Sequence, residues 1–424
     1  ITRRRVLVAG AAGIAGGVLL SRNDDHGRPH DAYFARLSHA LAEQGLARPT
    51  LVIDKTRLLE NIQTLNGHLQ DGPDFRIVAK SLPSADLIRT VMAAADTKRL
   101  MVFHQAFLNH IAKALPATDT LLGKPMPVAA AARFYQNLTG NSFAPARQVQ
   151  WLVDTPERLK QYAELASGIG QTMRINVEID VGLHRGGLTD PARLIDMLRI
   201  MDDDPNLQFS GLMGYDPHVP KIPGIFGGMQ GAFNAATSIY QRFVDAARSH
   251  FGDRWPDMDL TMNTAGSPTY QLHKASKMAT EVSVGSALVK PTDFDIGTLA
   301  DHVPACFIAT PVIKAMDGTQ IPGLEKLSGL FRWWDPNRAR SFFIYGGYWK
   351  AEPASPPGLK LNPIYGRSSN QELLNGSASI PLQVDDYVFL RPTQSESVFL
   401  QFGDIAVFDG EKISGFWPIF PQAA

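Results

Sequence analysis

The segment Phe75-Arg-Ile-Val-Ala-Lys80-Ser-Leu-Pro83 sets the frame for the rest of the chain. A short apolar run opens after Gly72-Pro73, ends on one lysine and gives way to a helix-compatible stretch at 83–95. An apolar run of this length between turn residues reads as a buried strand. Lys80 then stands at the strand's C-terminal end, where α/β folds gather their chemistry. A lysine charge at a largely apolar barrel mouth is unfavourable unless it is paired, neutralised or used covalently. For an isolated lysine at a strand end, snorkelling into solvent is the commoner outcome.

Outward from this segment a rhythm sets in. Apolar runs at 75–80, 100–104, 120–123, 149–154, 173–180, 209–215, 260–265 and 282–289 alternate with helical stretches. The helices are read at 84–95, 105–115, 128–138, 156–167, 191–201, 229–251 and 269–277. Asp154-Thr155-Pro156-Glu157 and Thr189-Asp190-Pro191 carry helix-start signals. Eight strands with crossover helices predict an α/β fold, a (β/α)8 barrel over residues 48–300, with an open doubly wound sheet as the alternative. Before the first of these runs, 30–47 reads as a helix, 50–54 as a strand and 55–69 as a second helix.

After Lys290-Pro291-Thr292-Asp293 the pattern changes to short strands at 306–313, 341–345, 387–390, 397–401 and 405–408. These predict a C-terminal β domain over 301–424, with residues 26–47 as candidates to pack on it. The interval 346–376, which contains Glu352-Pro353-Ala354-Ser355-Pro356-Pro357, reads as a long loop.

The 424 residues carry 41 basic and 41 acidic side chains, so charge gives no pull toward nucleic acid or a membrane surface. The single cysteine, Cys306, excludes an internal disulfide and a cysteine metal cluster. Near the start, Thr2-Arg3-Arg4-Arg5 precedes an apolar run at 6–20. Residues 1–25 therefore read as a twin-arginine-like export signal or a retained anchor, which predicts a periplasmic or exported protein. Gly10, Gly13 and Gly16 have the wrong spacing for a dinucleotide fingerprint.

If the strands close, the residues that follow them meet at one mouth. These are Lys80, then His184 and Arg185, then Tyr215-Asp216-Pro217-His218, then Asn263-Thr264-Ala265-Gly266-Ser267, and last Gly285-Ser286. The final two are small, glycine- and hydroxyl-rich turns whose backbone N–H groups can approach an anion closely. A lysine and a phosphate cup at one mouth are the layout of a barrel that holds pyridoxal 5′-phosphate (PLP). By residue type alone, Gly266-Ser267-Pro268 is equally a simple turn, Tyr215 a packed core residue, and Arg185 a partner for Asp180 or Glu178.

The ordered set Arg76-x-x-Ala79-Lys80, Val177 to Gly187, Gly211-Leu212-x-x-Tyr215, Gly266-Ser267 and Thr280-Glu281-x-x-x-Gly285-Ser286 resembles the D-threonine aldolase and D-serine dehydratase group. That group belongs to the fold-type III PLP enzymes, related to alanine racemase. The likeness runs from about Arg48 to the C-terminus. It implies a PLP barrel, a C-terminal β domain, and a homodimer in which that domain helps close the partner's active site. It also implies that Lys80 bonds the cofactor aldehyde, that Arg185 lies near the pyridine nitrogen, and that Tyr215 stands beside the ring.

Three departures bear on mechanism. The family histidine after the tyrosine is Asp216 here, with His218 two residues on, so Asp216 and His218 are the candidates for a second acid or base. The family histidine before the lysine is Val78. Where the family holds a divalent metal with Pro-x-His-x-Asp or Pro-x-His-x-Cys, this chain has Pro392-Thr393-Gln394-Ser395-Glu396. Gln394 offers only a neutral oxygen, so Gln394 and Glu396 predict no tight transition-metal site. The expectation is a PLP-dependent lyase acting on a small D- or β-hydroxy amino acid. The alternatives are a racemase or dehydratase on the same scaffold, or a homologue that binds PLP or another ligand without turnover.

Overall fold

A computed structural model describes residues 23–421 except 141, 321–322, 324–328 and 330–332. The export segment read at 1–25 therefore lies almost wholly outside the described residues. The chain divides into two compact units, with breaks after Asp54 and after Ala305, a few residues later than the sequence places them. Residues 394–404 and 416–421 return to the unit that holds 55–305.

That unit is a closed parallel barrel of eight strands in chain order, which excludes the open sheet. The strands are β2 (Asp74–Val78), β3 (Arg99–Val102), β4 (Asp119–Leu122), β5 (Val149–Val153), β6 (Met173–Ile179), β7 (Leu207–Gly214), β8 (Thr261–Thr264) and β9 (Glu281–Val284). Closure comes from β9 pairing with β2, Asp74 opposite Glu281 and Ile77 opposite Val284. The strands are apolar runs because both faces are covered; β5 is buried at all of its positions. A register shift between Ile175 and Asn176 brings Gly211 against β8. A Cβ at Gly211, whose φ is +138°, would lie 2.0 Å from the Thr261 carbonyl oxygen, so only glycine fits this irregularity.

Helix starts follow the sequence signals. Thr155 and Asp190 cap the helices Pro156–Ile169 and Pro191–Asp203, each with proline in the first turn. Ser84 caps Ala85–Ala95 and so fixes the direction of the chain leaving Lys80.

Two expectations for the barrel are corrected. The helix read at 269–277 is only the 3-10 turn Tyr270–His273, because Thr269 and His273 both turn inward to Asp216. The strand read at 282–289 stops at Val284. There the Ser267 hydroxyl takes the N–H groups of Gly285 and Ala287, which removes them from a strand ladder.

The other unit centres on a nine-stranded sheet in the order β13-β14-β11-β10-β1-β16-β17, with β15 joining β10 to β12. Its strands are β1 (Thr50–Asp54), β10 (Cys306–Met316), β11 (Arg340–Tyr345), β12 (Ala351–Ser355), β13 (Lys360–Leu361), β14 (Gln371–Gly376), β15 (Tyr387–Pro392), β16 (Ile405–Phe408) and β17 (Ile413–Trp417). The strand at 50–54, read as part of the barrel, belongs to this sheet: β1 runs antiparallel to β10 and parallel to β16. The helix Ala32–Glu43 buries Leu37, Ala40 and Leu41 with Val52, Phe389 and Phe408, so the segment before β1 does pack on the β domain.

The interval 346–376 is not a loop throughout, since it holds β12, β13 and β14. Pro353 is accommodated because β12 pairs, among the described residues, on one side only, with β15. The strand read at 397–401 is instead a turn closed by local bonds, Phe399 to Ser395 and Gln401 to Val398.

Candidate active site

β2 ends at Val78, and a single 3-10 turn, Ala79–Ser81, lifts Lys80 to the barrel mouth. Its ammonium lies 2.8 Å from Glu396 Oε1 and 4.5 Å from the centroid of the Phe103 ring. The charge is thus paired on one side and stacked on an aromatic face on another.

The turns after β8 and β9 meet beside it. Ser267 Oγ accepts the N–H groups of Gly285 (3.2 Å) and Ala287 (3.0 Å). Ser286 Oγ stands 3.2 Å from Ser81 Oγ and 3.3 Å from Ser395 Oγ. Backbone approach here is closer than a side chain allows. A Cβ at Gly266 would lie 2.5 Å from the Tyr215 ring, and one at Gly285 would lie 2.9 Å from both Val78 and Ser81. Ala265, the residue before Gly266, has φ +63°.

These groups line one cavity, partly open to solvent. Lys80, Arg185, Tyr215, Gly266, Ser267, Gly285, Ser286 and Glu396 all reach it. The residues present fit PLP: an amine for the aldehyde, clustered hydroxyls on glycine-bordered turns for the phosphate, and Met101, Phe103 and Met213 as walls for a ring.

Arg185 is exposed, with its guanidinium carbon 5.1 Å from the centroid of the Tyr215 ring. Asp180 is not its partner; that carboxylate accepts from His184 Nδ1 (2.9 Å) and from the amides of Gly182 and His184. Burial alone would raise the Asp180 carboxyl, but those amides and the His184 ring draw it below its ordinary value. Burial, reinforced by Asp154, pushes Glu178 up to about 7 against the pull of Arg185. Burial also raises the Tyr215 phenol, again opposed by Arg185.

Four residues read as site members stand elsewhere. Thr264 is buried at the end of β8 while its neighbours Asn263 and Ala265 line the cavity. Asp216, 1% exposed, accepts from Thr269 Oγ1 (2.5 Å) and His273 Nε2 (2.8 Å), which leaves it no oxygen for a substrate. The His218 ring packs on Gly182, and its buried Nδ1 has no partner among the described residues. Gln394 donates to Asp293 Oδ2 at 3.1 Å. With Gln394 so occupied and Glu396 joined to Lys80, these two side chains do not fit a metal centre.

Phe103 and Gly123 were not anticipated, yet each directly follows the strand before it, β3 or β4. Extending the strand-end rule to every strand would have found them. A Cβ at Gly123 would lie 2.2 Å from the Phe103 ring, so glycine there seats the aromatic wall beside Lys80. Asn263, expected at the mouth from its place after the seventh run, lines the cavity, and its amide donates to Glu281 (2.7 Å) and Ser283 (2.8 Å).

A barrel of this topology, with a lysine after the first strand and a hydroxyl-lined cup after the last two, defines a cofactor-binding α/β barrel. Residues 53–293, more than half of the chain, match the model of the alanine racemase N-terminal domain. The chain belongs to that family, the fold-type III group whose members use PLP.

An alanine racemase from Mycolicibacterium smegmatis is 32% identical over 107 residues, which are 24% of this chain and 28% of that protein. The chain thus matches well under a third of that relative's length. D-threonine aldolase from Filomicrobium marinum superposes with a TM-score of 0.68 at 16% identity, over 87% of this chain and 94% of that one. D-threo-3-hydroxyaspartate dehydratase from a Delftia species gives 0.66 at 15%, over 88% and 98%. Alanine racemase from Bacillus anthracis gives 0.64 at 13%, over 88% and 97%. At these identities the superpositions establish the fold.

Proposed function

We propose that this protein is a PLP-dependent lyase of the D-threonine aldolase type, acting on a small β-hydroxy amino acid of D configuration. The observation that carries the reading is the Lys80–Glu396 pair, an amine and a carboxylate 2.8 Å apart in the cavity that also holds the anion cup. Lys80 would hold the cofactor aldehyde, while the Ser267 and Ser286 hydroxyls, on turns that Gly266 and Gly285 keep free of side chains, would receive its phosphate. Bound there, PLP supplies an aldehyde that captures the substrate amine and a conjugated ring that takes up the electrons of a broken bond.

The chain's own groups do the rest. With PLP bound, the Lys80 amine would hold or return a proton at Cα. Glu396 accepts the β-hydroxyl proton as the Cα–Cβ bond breaks and an aldehyde leaves, and Lys80 returns a proton to Cα. Phe103 and the methionines exclude water from that carbon. This division needs no metal, in keeping with the way Gln394 and Glu396 are engaged.

A second reading, an amino-acid racemase, is favoured by the match to the alanine racemase N-terminal domain. It requires another acid or base on the face of Cα away from Lys80. A dehydratase would use the same two groups but expel the hydroxyl. Family members are typically dimeric, and a homodimer is part of the proposal.

The test is incubation of the PLP-loaded protein with D- and L-threonine and related amino acids, followed by chiral chromatography. Glycine plus an aldehyde is the expected outcome; the mirror amino acid alone supports the racemase, and a keto acid with ammonia the dehydratase. No turnover of any substrate, with PLP absorbance unchanged by Lys80→Ala, leaves only a binding role.

A further inference from the structure

We propose that Asp216 is a positioning residue that sets the anion-binding loop at Gly266-Ser267 before the cofactor's phosphate arrives. This rests on the PLP reading above and deepens it. Asp216 follows Tyr215, which lines the cavity, but its carboxylate is turned into the protein and is 1% exposed. One oxygen accepts from Thr269 Oγ1 at 2.5 Å and the other from His273 Nε2 at 2.8 Å. Thr269 and His273 are themselves 0% and 1% exposed.

The same Thr269 oxygen accepts the N–H of Gly266 at 3.2 Å, and the Gly266 carbonyl takes the N–H groups of Thr269 and Tyr270 at 3.0 Å each. The chain of bonds thus runs His273, Asp216, Thr269, Gly266, and ends on the backbone of the cup. Gly266 is pinned from its other side by the Tyr215 ring, and Ala265 before it holds a positive φ of 63°. A non-glycine residue persists there only where its surroundings over-determine it.

A buried carboxylate with two donors is an unfavourable means of closing a turn, since two apolar groups of the same shape would do so without desolvation. Its geometry suits preorganisation: the loop is held by groups that never touch the ligand. The His273 ring is committed to this contact: Nε2 serves Asp216, while Nδ1 is buried with no hydrogen-bond partner among the described residues.

The test uses full-length protein, with PLP and pyridoxal, which lacks the phosphate, titrated by absorbance into wild type and Asp216→Asn. The variant should bind PLP about tenfold more weakly, as for loss of one charge-assisted hydrogen bond, and pyridoxal within about twofold of wild type. Equal weakening of both ligands would show a general loss of structure, and no weakening of either an idle carboxylate; each overturns the proposal. Thr269→Val provides a second route should Asp216→Asn fail to fold: it should reproduce the selective loss, and Thr269→Ser should restore PLP binding. Wild type that takes up pyridoxal no less tightly than PLP overturns the inference but leaves the lysine site standing. Wild type that takes up neither overturns the PLP reading and the inference with it.

Discussion

The Lys80 ammonium and the Glu396 carboxylate meet at 2.8 Å, although one follows the first barrel strand and the other comes more than 300 residues later, after β15. Both side chains are partly exposed, at 37% and 40%, so the contact adds little to stability. Its value is chemical. Glu396→Gln keeps the shape and removes the base. The lyase rate should fall about 100-fold or more while PLP still loads, and stability should stay within about 0.5 kcal/mol. Steady-state kinetics beside a denaturant titration checks both; full activity in the variant removes Glu396 from the reaction.

Lys80→Arg keeps a cation near Glu396 but has no amine able to bond an aldehyde. Turnover should drop about 1,000-fold or more. Borohydride reduction of the PLP-treated wild type should add the cofactor's mass to the peptide containing Lys80, and the variant should gain none. Mass spectrometry that finds the label on another lysine contradicts the assignment.

Gly266→Ala places a methyl 2.5 Å from Tyr215 Cε2, inside any normal contact. Either the ring or the loop must move, at a cost of about 1–3 kcal/mol. Both line the cavity, so PLP affinity should fall with stability. Unchanged binding and an unchanged denaturant midpoint would mean that the loop yields freely.

Arg76 is fully buried along β2, two residues after Asp74, and ion-pairs with Glu281 at 2.5 Å and Asp119 at 2.7 Å. It also donates to the carbonyls of Leu100 and Asp119. Burial works against its charge, but the two carboxylates outweigh that and raise it above its ordinary value. Arg76→Met leaves Glu281 only Asn263 and the more distant Arg99, and Asp119 only Arg174 as a cation, so loss of the buried pairs should cost about 3–5 kcal/mol. Equilibrium unfolding measures the loss; a change under about 1 kcal/mol would show that the network relaxes without its centre.

Glu178 carries a pH signature. Burial and the Asp154 charge hold its carboxyl at about 7 instead of the ordinary 4.5. The folded chain therefore binds this proton more tightly than the unfolded one. That contribution to stability is fully present below pH 4.5 and is lost as pH rises towards 7. Glu178→Gln should gain on wild type as pH rises, with the difference complete by about pH 8. Denaturant midpoints across that range test it, and parallel curves for the two proteins refute it.

The barrel was legible because its signals are local and repeated: buried apolar runs, proline and hydroxyl caps, and a lysine at a strand end. The second helix matched residue for residue as Lys55–Leu69. What sequence could not show was pairing between distant segments. Nothing in Thr50–Asp54 says that its partners are β10 and β16, not β2. Asp216 looked catalytic because it follows Tyr215; only the fold brings Thr269 and His273 to its two oxygens. Thr264 was one residue out, since alternation along a strand turns every second side chain away from the lumen.

The place of β1 also bears on how the protein is made. Translation delivers this apolar strand first, whereas its antiparallel neighbour begins at Cys306 and its parallel one at Ile405. The whole barrel is synthesised while β1 waits with open ladder edges, the state in which a nascent chain is most prone to wrong association. Ribosome-bound intermediates that carry a finished barrel should therefore be the species that chaperones engage, and a circular permutant joining β1 directly ahead of β10 should need them less.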